Sequence, residues 1–373
     1  MRRRPIVLCL SLVLTALSGC TDPTATPNAA MSPAPAASSG GQFALAWKQD
    51  LSGRAQGVAV PPNGDVYLSV NASYDGLDPF TEGGGAMVFS SKGAKLRDIP
   101  TLLPKDCDAC IRLIFAPNAP QVASQSVLLS NYNWGVFKLD TATQAATRLA
   151  IDTNNLSTSI TGVDSNSAIS ADGSMAFLAG SRLGVLNLGT GRLERMVDFG
   201  HDVKQIVPAS GSAYLVNLTE NLDSKGTLAL WNPTTDARST FETAYPVRGI
   251  AARDSWAVGV VESGLSEYQV VQWDLAQNPP VEKNLGGFRM SGGNELRMAV
   301  RPGKRQVAIG TAGISAVNDG TITLLAGSTV FIDADKGTIG RADTSSVQGL
   351  SFSPDGGMLY VADTGGLKAF ALP

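Results

Sequence analysis

Acidic side chains that could bind a divalent cation recur along this chain of 373 residues. Carboxylate oxygens are among the ligands that Ca²⁺ prefers in proteins. A subset of these residues could converge on one ion, or each could be an ordinary solvated loop residue, and the sequence leaves both interpretations open. No cofactor is certain from the sequence. Ca²⁺ is the candidate cofactor that we consider. The candidate carboxylates are Asp75, Asp78, Glu82, Asp164, Asp202, Glu262, Glu295, Asp319 and Asp363.

The segment FIDADKGTIG (331–340) has part of the pattern of a calcium loop. Asp333 and Asp335 have the spacing of the first EF-hand ligands. However, Gly337 and Thr344 stand where a further acidic or amide ligand and a glutamate are expected. The segment also occupies the place of a hairpin turn in a repeated pattern described below. An ordinary hairpin turn is therefore the favoured interpretation.

Three further side chains could take part in binding or catalysis. His201 beside Asp202 has the composition of a general base, but no nucleophile motif such as GxSxG accompanies the pair. Because the chain has one histidine, a site with several histidine ligands is excluded, and a surface or loop-capping role is favoured. Tyr132 and Trp134 could stack on a sugar or a peptide side chain, or simply cover the protein beneath them. We therefore predict no catalytic residue.

The first twenty residues have the organisation of a secretion signal. Arg2, Arg3 and Arg4 are followed by an apolar stretch, Ile6–Leu17, which is shorter than the roughly 20 residues that span a bilayer. The residues Leu17-Ser18-Gly19-Cys20 resemble the lipobox of bacterial lipoproteins. That resemblance implies removal of residues 1–19, lipidation of Cys20 and an extracytoplasmic position on a bacterial membrane. The sequence leaves open whether this membrane is the inner or outer membrane of a diderm cell or the surface membrane of a monoderm cell.

Residues 20–42 form a segment rich in Pro, Ala, Ser and Thr. Such a composition cannot bury enough apolar surface to offset the entropy of ordering, so we predict a disordered tether. Removal of residues 1–19 takes three arginines and no acid, which changes the net charge from −3 to about −6. A mildly acidic chain lacks the basic stripe that nucleic-acid binding requires. The predicted partners are therefore the membrane, through Cys20, and an envelope protein or a small ligand.

Two cysteines of the mature chain, Cys107 and Cys110, are spaced as CxxC. In an oxidising compartment this spacing favours a local disulfide that staples a loop. A redox-active pair is the alternative, but no βαβ context surrounds it. The neighbouring Asp106 and Asp108 would raise the thiol pKa rather than lower it.

Residues 43–373 consist of short apolar runs separated by turn residues, which predicts an all-β fold. One repeated element is an apolar run, a turn and a second apolar run (strands A and B). It occurs at 57–70, 111–130, 168–179, 205–216, 247–261, 296–310 and 349–362. A polar-turned hairpin (strands C and D) alternates with it, at 87–99, 136–150, 185–197, 228–241, 270–285 and 329–341.

This repeat resembles the β-propeller superfamily with its YVTN and WD-like members, although no Trp-Asp dipeptide recurs. We predict a seven-bladed propeller over residues 43–373, with four strands in each blade. The last blade lacks a D strand, so residues 43–49 are predicted to supply it and to close the ring. On this interpretation, deletion of residues 43–50 unfolds the whole domain.

The longest predicted loops, 70–86 and 150–167, lie on the face formed by the B–C and D–A connections. We therefore expect the ligand face there. Binding or scaffolding at the bacterial envelope is the favoured function. A metal-dependent lactonase or hydrolase, similar to the gluconolactonase family and using carboxylates at the channel mouth, is the alternative, and a quinone-dependent dehydrogenase is a third. The predicted arrangement, a lipid anchor followed by a propeller, is similar to that of the propeller lipoprotein of the outer-membrane barrel-assembly machinery. This chain lacks the repeated Gly-to-Trp pattern of that family.

Overall fold

The structure, a computed structural model, describes most of the chain beyond residue 40. The described ranges are 41–51, 55–70, 85–100, 121–123, 126–131, 135–143, 146–149, 167–218, 225–290, 296–311, 316–317 and 328–373. These ranges contain strands and turns and no helix. Accordingly, they hold no helical segment of the length and hydropathy needed to span a membrane.

The strands of the first half of the chain are short. They are β1 (Gly41–Gln42), β2 (Leu45–Asp50), β3 (Ala55–Ala59), β4 (Val66–Val70), β5 (Gly85–Phe89), β6 (Lys95–Pro100), β7 (Gln121–Ala123), β8 (Ser126–Asn131), β9 (Gly135–Asp140), β10 (Ala146–Arg148), β11 (Ala168–Ile169), β12 (Met175–Leu178), β13 (Leu183–Asn187) and β14 (Arg192–Val197).

The second half includes the longest strands. They are β15 (Gln205–Pro208), β16 (Tyr214–Asn217), β17 (Gly226–Trp231), β18 (Arg238–Thr243), β19 (Val247–Arg253), β20 (Trp256–Gly264), β21 (Glu267–Asp274), β22 (Val281–Met290), β23 (Leu296–Val300), β24 (Gln306–Thr311), β25 (Ala316–Val317), β26 (Ser328–Asp333), β27 (Gly337–Asp343), β28 (Val347–Phe352), β29 (Met358–Asp363) and β30 (Gly366–Ala371).

The described strands form seven sheets, in which most neighbouring strands are consecutive along the chain and β1, β2 and β25 are the exceptions. The strand orders are β3-β4-β5-β6, β7-β8-β9-β10, β11-β12-β13-β14, β15-β16-β17-β18, β19-β20-β21-β22-β25, β23-β24-β26-β27-β1 and β28-β29-β30-β2. The first strands of successive sheets contact one another at the six junctions from β7 through β11, β15, β19, β23 and β28 to β3. Sheets that meet through their first strands surround a common axis, which is the arrangement of a β-propeller.

The predicted number of seven four-stranded blades is wrong, because the described residues form six blades. Six sheets are blades whose buried side chains are described along their strands, and two of these six have five strands. In one, β25 is added to β22, and in the other β1 runs parallel to β27. The remaining sheet, β7–β10, is short and is described largely as backbone. The uniform scheme is therefore wrong, while the all-β propeller architecture is confirmed.

The second predicted repeat is also misplaced. We predicted its A strand at 111–115 and a turn at 116–124, but β7 occupies Gln121–Ala123 within that turn. Residues 111–115 lie outside the described ranges. The prediction followed the long apolar run at 111–115, because β7 is only three residues long and carries only one large apolar side chain.

The hydrophobic core lies between adjacent blades, because middle strands bury both of their faces. In β20, Val258 and Val260 pack against Val307 and Ile309 of the next blade. The intervening Ala257 and Val261 pack towards the preceding blade. Side chains alternate along a strand, so burial on both sides requires an uninterrupted apolar run such as WAVGVV. At Gly259 an added Cβ would lie 2.3 Å from the Trp273 ring, so a larger residue there would have to displace this buried ring.

The N-terminal segment closes the ring, and we call residues 41–50 the clasp. β2 pairs antiparallel with β30, for example Lys48 with Lys368. The closing strand is thus Leu45–Asp50 rather than the predicted 43–49. Residues 41 and 42, assigned to the tether by sequence, form β1 instead. The Trp47 indole N–H donates to the Ser91 carbonyl of the first blade at 3.0 Å, so the clasp also contacts the blade that follows it.

Substitution of Trp47 tests the clasp. Replacement of a fully buried tryptophan by alanine lowers stability by about 3–5 kcal/mol. Because Trp47 is half-buried, we expect Trp47→Ala to lower the free energy of unfolding by about 2–3 kcal/mol. The measurement is equilibrium denaturation by urea. Leu45→Ala is the control, because Leu45 is 49% exposed on the same strand and should change stability by less than about 0.5 kcal/mol. Equal effects of the two substitutions would contradict the clasp.

Candidate functional site

Most sequence-predicted site residues lie outside the described ranges. They are Cys20, Asp75, Asp78, Glu82, Cys107, Cys110, Tyr132, Trp134, Asp164, Glu295 and Asp319. The loops 70–86 and 150–167 are outside the described ranges almost entirely. The lipidation, the disulfide and the convergence of these carboxylates therefore stay predictions.

Three predicted carboxylates, Asp202, Glu262 and Asp363, are described on the B–C and D–A face, and each has a partner within the fold. Asp363 is fully buried. It accepts hydrogen bonds from the Ser345 and Gly365 backbone N–H groups at 2.8 and 2.9 Å and from the Lys368 ammonium at 2.7 Å. Glu262 is held in an ion pair by Arg248. The geometry gives Asp363 a part in the connection between blades rather than a position facing solvent.

His201 and Asp202 are both exposed on the connection between β14 and β15. The Asp202 carboxylate pairs with the Lys204 ammonium at 3.2 Å. Within the described ranges, no group of three or more His, Cys, Asp or Glu side chains is arranged to hold a metal ion.

The segment with the partial calcium-loop pattern is a hairpin turn between β26 and β27. The Asp333 carboxylate accepts from the Asp335 and Lys336 backbone N–H groups at 2.9 and 3.1 Å. It also accepts from the Gln306 amide at 2.9 Å. These contacts hold the backbone of the turn, which is the favoured interpretation of the sequence.

A cavity of about 480 Å³ lies on the other face, where the A–B turns meet. We call it the mouth. Because the A strands are innermost, their turns surround the axis at one end of the propeller, and six blades contribute lining residues. Proline and small residues predominate. The lining consists of Val60, Pro62, Ile169, Ser170, Ala171, Pro208, Gly211, Ala213, Tyr214, Arg253, Pro302, Phe352, Ser353 and Pro354.

Two of the lining turns share one hydrogen-bonded design. In Ser353–Met358 the Ser353 hydroxyl donates to Asp355 at 2.5 Å and accepts from the Met358 N–H at 2.9 Å. The Gly356 backbone N–H closes the turn on the Ser353 carbonyl at 2.9 Å, with φ at +71°. The turn Ser170–Met175 repeats these contacts. The side chains facing the mouth are therefore fixed by their own backbones.

Arg301 holds two neighbouring turns of this face together. Its guanidinium is 7% exposed and donates to the Gly356 carbonyl at 2.8 Å. It also donates to the Gln306 side-chain oxygen at 2.9 Å and to the Pro373 backbone oxygen at 2.8 Å. A buried arginine that satisfies three acceptors fixes the β23–β27 blade against the β28–β30 blade.

Two grooves open beside the mouth on the same face. One, of about 450 Å³, lies between the β11–β14 and β15–β18 blades and shares Tyr214 with the mouth. Burial raises the pKa of Tyr214 to about 12, so its hydroxyl stays neutral. The other, of about 440 Å³, lies between the β19–β22 and β23–β27 blades and shares Arg253 with the mouth. Mouth and grooves form one continuous concave surface.

The sequence contained a signal for this face that we interpreted only structurally. Pro62, Pro302 and Pro354 lie in turns between strands A and B of the predicted repeat, and the structure brings them together at the mouth. Arg253 is the last residue of an apolar strand, and no sequence motif includes it. Only closure of the ring places it at the axis, which no local pattern reveals.

No known protein family matches this sequence, and no curated protein matches it. Among solved structures, hydrazine synthase of Kuenenia stuttgartiensis is similar, with a TM-score of 0.63 and 12% identity over 87% of this chain and 97% of that chain. The WD40 repeats of RRP9 are similar with a TM-score of 0.58 and 10% identity, over 89% of this chain and 98% of that chain. At such identities the likeness shows the fold alone, a β-propeller. Membership of the YVTN-like group stays a prediction.

The turn at Asp172 should make stability depend on pH below pH 4. Hydrogen bonds from the Ser170 hydroxyl and from Ser174 lower the pKa of Asp172 from 3.8 to about 2. A depressed carboxyl pKa contributes stability that is complete above about pH 4 and is lost as the pH falls towards 2. The wild type should therefore lose its advantage in the free energy of unfolding over Asp172→Asn as the pH falls through that range. The loss should be less than about 1 kcal/mol, because Asp172 lies at the surface.

Urea denaturation at a series of pH values measures this difference. Ser170→Ala removes the hydroxyl that lowers the pKa of Asp172 most, and it should therefore reduce the pH dependence part of the way. Parallel curves for the wild type and Asp172→Asn between pH 4 and 2 would show that the turn does not perturb this carboxyl group.

Proposed function

We propose that this chain is a lipid-anchored, extracytoplasmic β-propeller that binds a protein of the bacterial envelope at its A–B turn face. The observation that carries the binding proposal is the mouth, where turns of six blades line a single cavity of about 480 Å³. Cavities of this size are typical of ligand sites. The two flanking grooves extend the concave surface beyond what one small molecule would cover.

The anchoring proposal rests on the sequence. The basic residues Arg2–Arg4, the short apolar stretch Ile6–Leu17 and the residues before Cys20 agree with a lipoprotein signal. Two or more acyl chains on Cys20 would hold the protein to a membrane without a spanning helix. A segment of about twenty residues rich in Pro, Ala and Ser would then separate the propeller from the lipid surface.

A rigid mouth suits binding because little conformational freedom is lost on association. The turns of this face are fixed by their Ser–Asp hydrogen bonds and by Arg301. Preorganisation of this kind raises affinity by lowering the entropic cost of binding.

Substitution of the anchoring cysteine tests the location. Cys20→Ser should prevent incorporation of a clickable fatty acid and move the protein from the membrane fraction to the soluble fraction. Cys9→Ser is the matched control, because Cys9 lies within the predicted signal and should leave both readouts unchanged. Retention of the fatty acid label by Cys20→Ser would refute lipidation at this residue.

Site-specific photo-cross-linking tests the face. A benzophenone amino acid at Pro62 or Pro354, both exposed at the mouth, should capture one recurrent envelope protein in intact cells. The controls are Lys225 and Ser263, which lie at the B–C connections of their blades, on the opposite face, and should give no such product. Equal capture from both faces, or capture only at the controls, would contradict a partner at the mouth.

A further inference from the structure

One charged side chain stands out in the lining of the mouth. Among the described residues that line this cavity, Arg253 alone carries a charge, and none is acidic. Arg253 is exposed, and among the described residues its guanidinium has no hydrogen-bond or ion-pair partner. A cation without a counter-charge in a mainly apolar cavity attracts an anionic group.

The groove beside Arg253 adds one more uncompensated cation. Lys304 lines it and, within the described ranges, its ammonium has no side-chain partner. Arg305 is already engaged, since it donates to Gln272 at 2.9 Å, lies 3.7 Å from Asp335 and stacks over Trp256 at 5.8 Å. The charge available to a ligand therefore comes from Arg253 and Lys304.

The acidic groups of this groove only partly offset those cations. Asp274 is occupied by its own turn, where it accepts from the Ala276 N–H at 3.0 Å and the Gln277 amide at 2.9 Å. Asp254 remains, exposed and in the left-handed region with φ at +54°. Among the described residues that line the groove, three cations (Arg253, Lys304 and Arg305) against two acids (Asp254 and Asp274) leave a net positive charge, on a chain whose overall charge is negative.

We infer that the partner places a carboxylate of an extended peptide segment on Arg253, with the neighbouring chain in the mouth and the Lys304 groove. This inference rests on the proposed function and names the chemistry of its partner. The guanidinium offers paired N–H donors that match a carboxylate. A phosphate group, with nearly two charges, is usually held by several arginines or a nest of backbone N–H groups, and the mouth offers one guanidinium.

An extended peptide also suits the remaining surface. Exposed prolines at positions 62, 208 and 354 present apolar rings without donors, which suit side-chain contacts rather than hydrogen-bonded recognition of a sugar. The cavity continues through Arg253 into the groove. A segment with an apolar residue next to Asp, Glu or a C-terminal carboxylate would fill both regions.

Peptide display tests this inference. A random library of twelve-residue peptides on phage is panned against the full chain purified in detergent. Recovered peptides are synthesised with a fluorophore, each also in a form with Asp and Glu replaced by Asn and Gln and the C-terminus amidated. We expect recovered peptides to contain a carboxylate whose neutralisation weakens binding about tenfold.

The variants locate the charge. Arg253→Gln should weaken binding of the acidic form about tenfold and leave the neutral form unchanged, so that the two changes are not additive. Lys304→Gln should weaken binding of the acidic form about threefold. Asp254→Asn, which keeps a residue tolerant of positive φ, should tighten binding. Lys225→Gln, with the same charge change on the other face, should have no effect.

The outcomes separate this inference from the proposed function. Ala171→Trp narrows the mouth without changing its charge and should abolish binding. Peptides blocked by Ala171→Trp but insensitive to Arg253→Gln would overturn the carboxylate inference and leave the binding function in place. Recovery of no peptide, or of peptides unaffected by Ala171→Trp, would count against both.

Discussion

The rest of the structure depends on the clasp, because a propeller is stable only when its ring is closed. Ten residues, Gly41–Asp50, contact three consecutive blades. β1 pairs with β27, β2 pairs with β30, and Trp47 lies on the turn of the β3–β6 blade, where an added Cβ at Gly93 would come within 2.7 Å of its ring. Phe43 packs on Phe331 with ring centroids 4.4 Å apart. Pairing of sequence-distant strands also covers edges that would otherwise be open to other chains.

Closure decides where the functional surface lies. The A strands contact one another around the axis only in a closed ring, and their turns then meet at the mouth. Arg301 fixes two of those turns next to the clasped blade. The residues that form the mouth are separated by almost three hundred positions in the sequence, so the mouth is a product of topology and not of any local segment.

The parts of the fold that follow from local physics could be predicted from the sequence. Apolar runs with turn residues between them identified the hairpins of six blades, and the lack of a final D strand identified the N-terminal strand that supplies it. The two-residue strands β1 and β25 could not be predicted, because two residues show no periodicity. β7 was missed since Gln121–Ala123 is shorter and less apolar than the run before it.

The candidate site was less predictable than the fold. Loop length and acidity favoured the B–C and D–A face, but acidity alone cannot distinguish a ligand from a structural contact. Asp363 illustrates this, because its carboxylate is consumed by Ser345, Gly365 and Lys368. Arg253, by contrast, is one exposed arginine among many in the sequence, and its significance comes from its neighbours in the closed ring.

Hydrogen exchange monitored by mass spectrometry, with the wild type and Trp47→Ala compared, tests the central role of the clasp most directly. If the clasp holds the ring, amides of β3–β6 and of β28–β30 lose protection together, and those of the mouth turns at 301–306 and 353–358 lose it with them. Loss of protection confined to residues 45–50 and their β30 partners would contradict the account, since the ring would then be stable without its clasp.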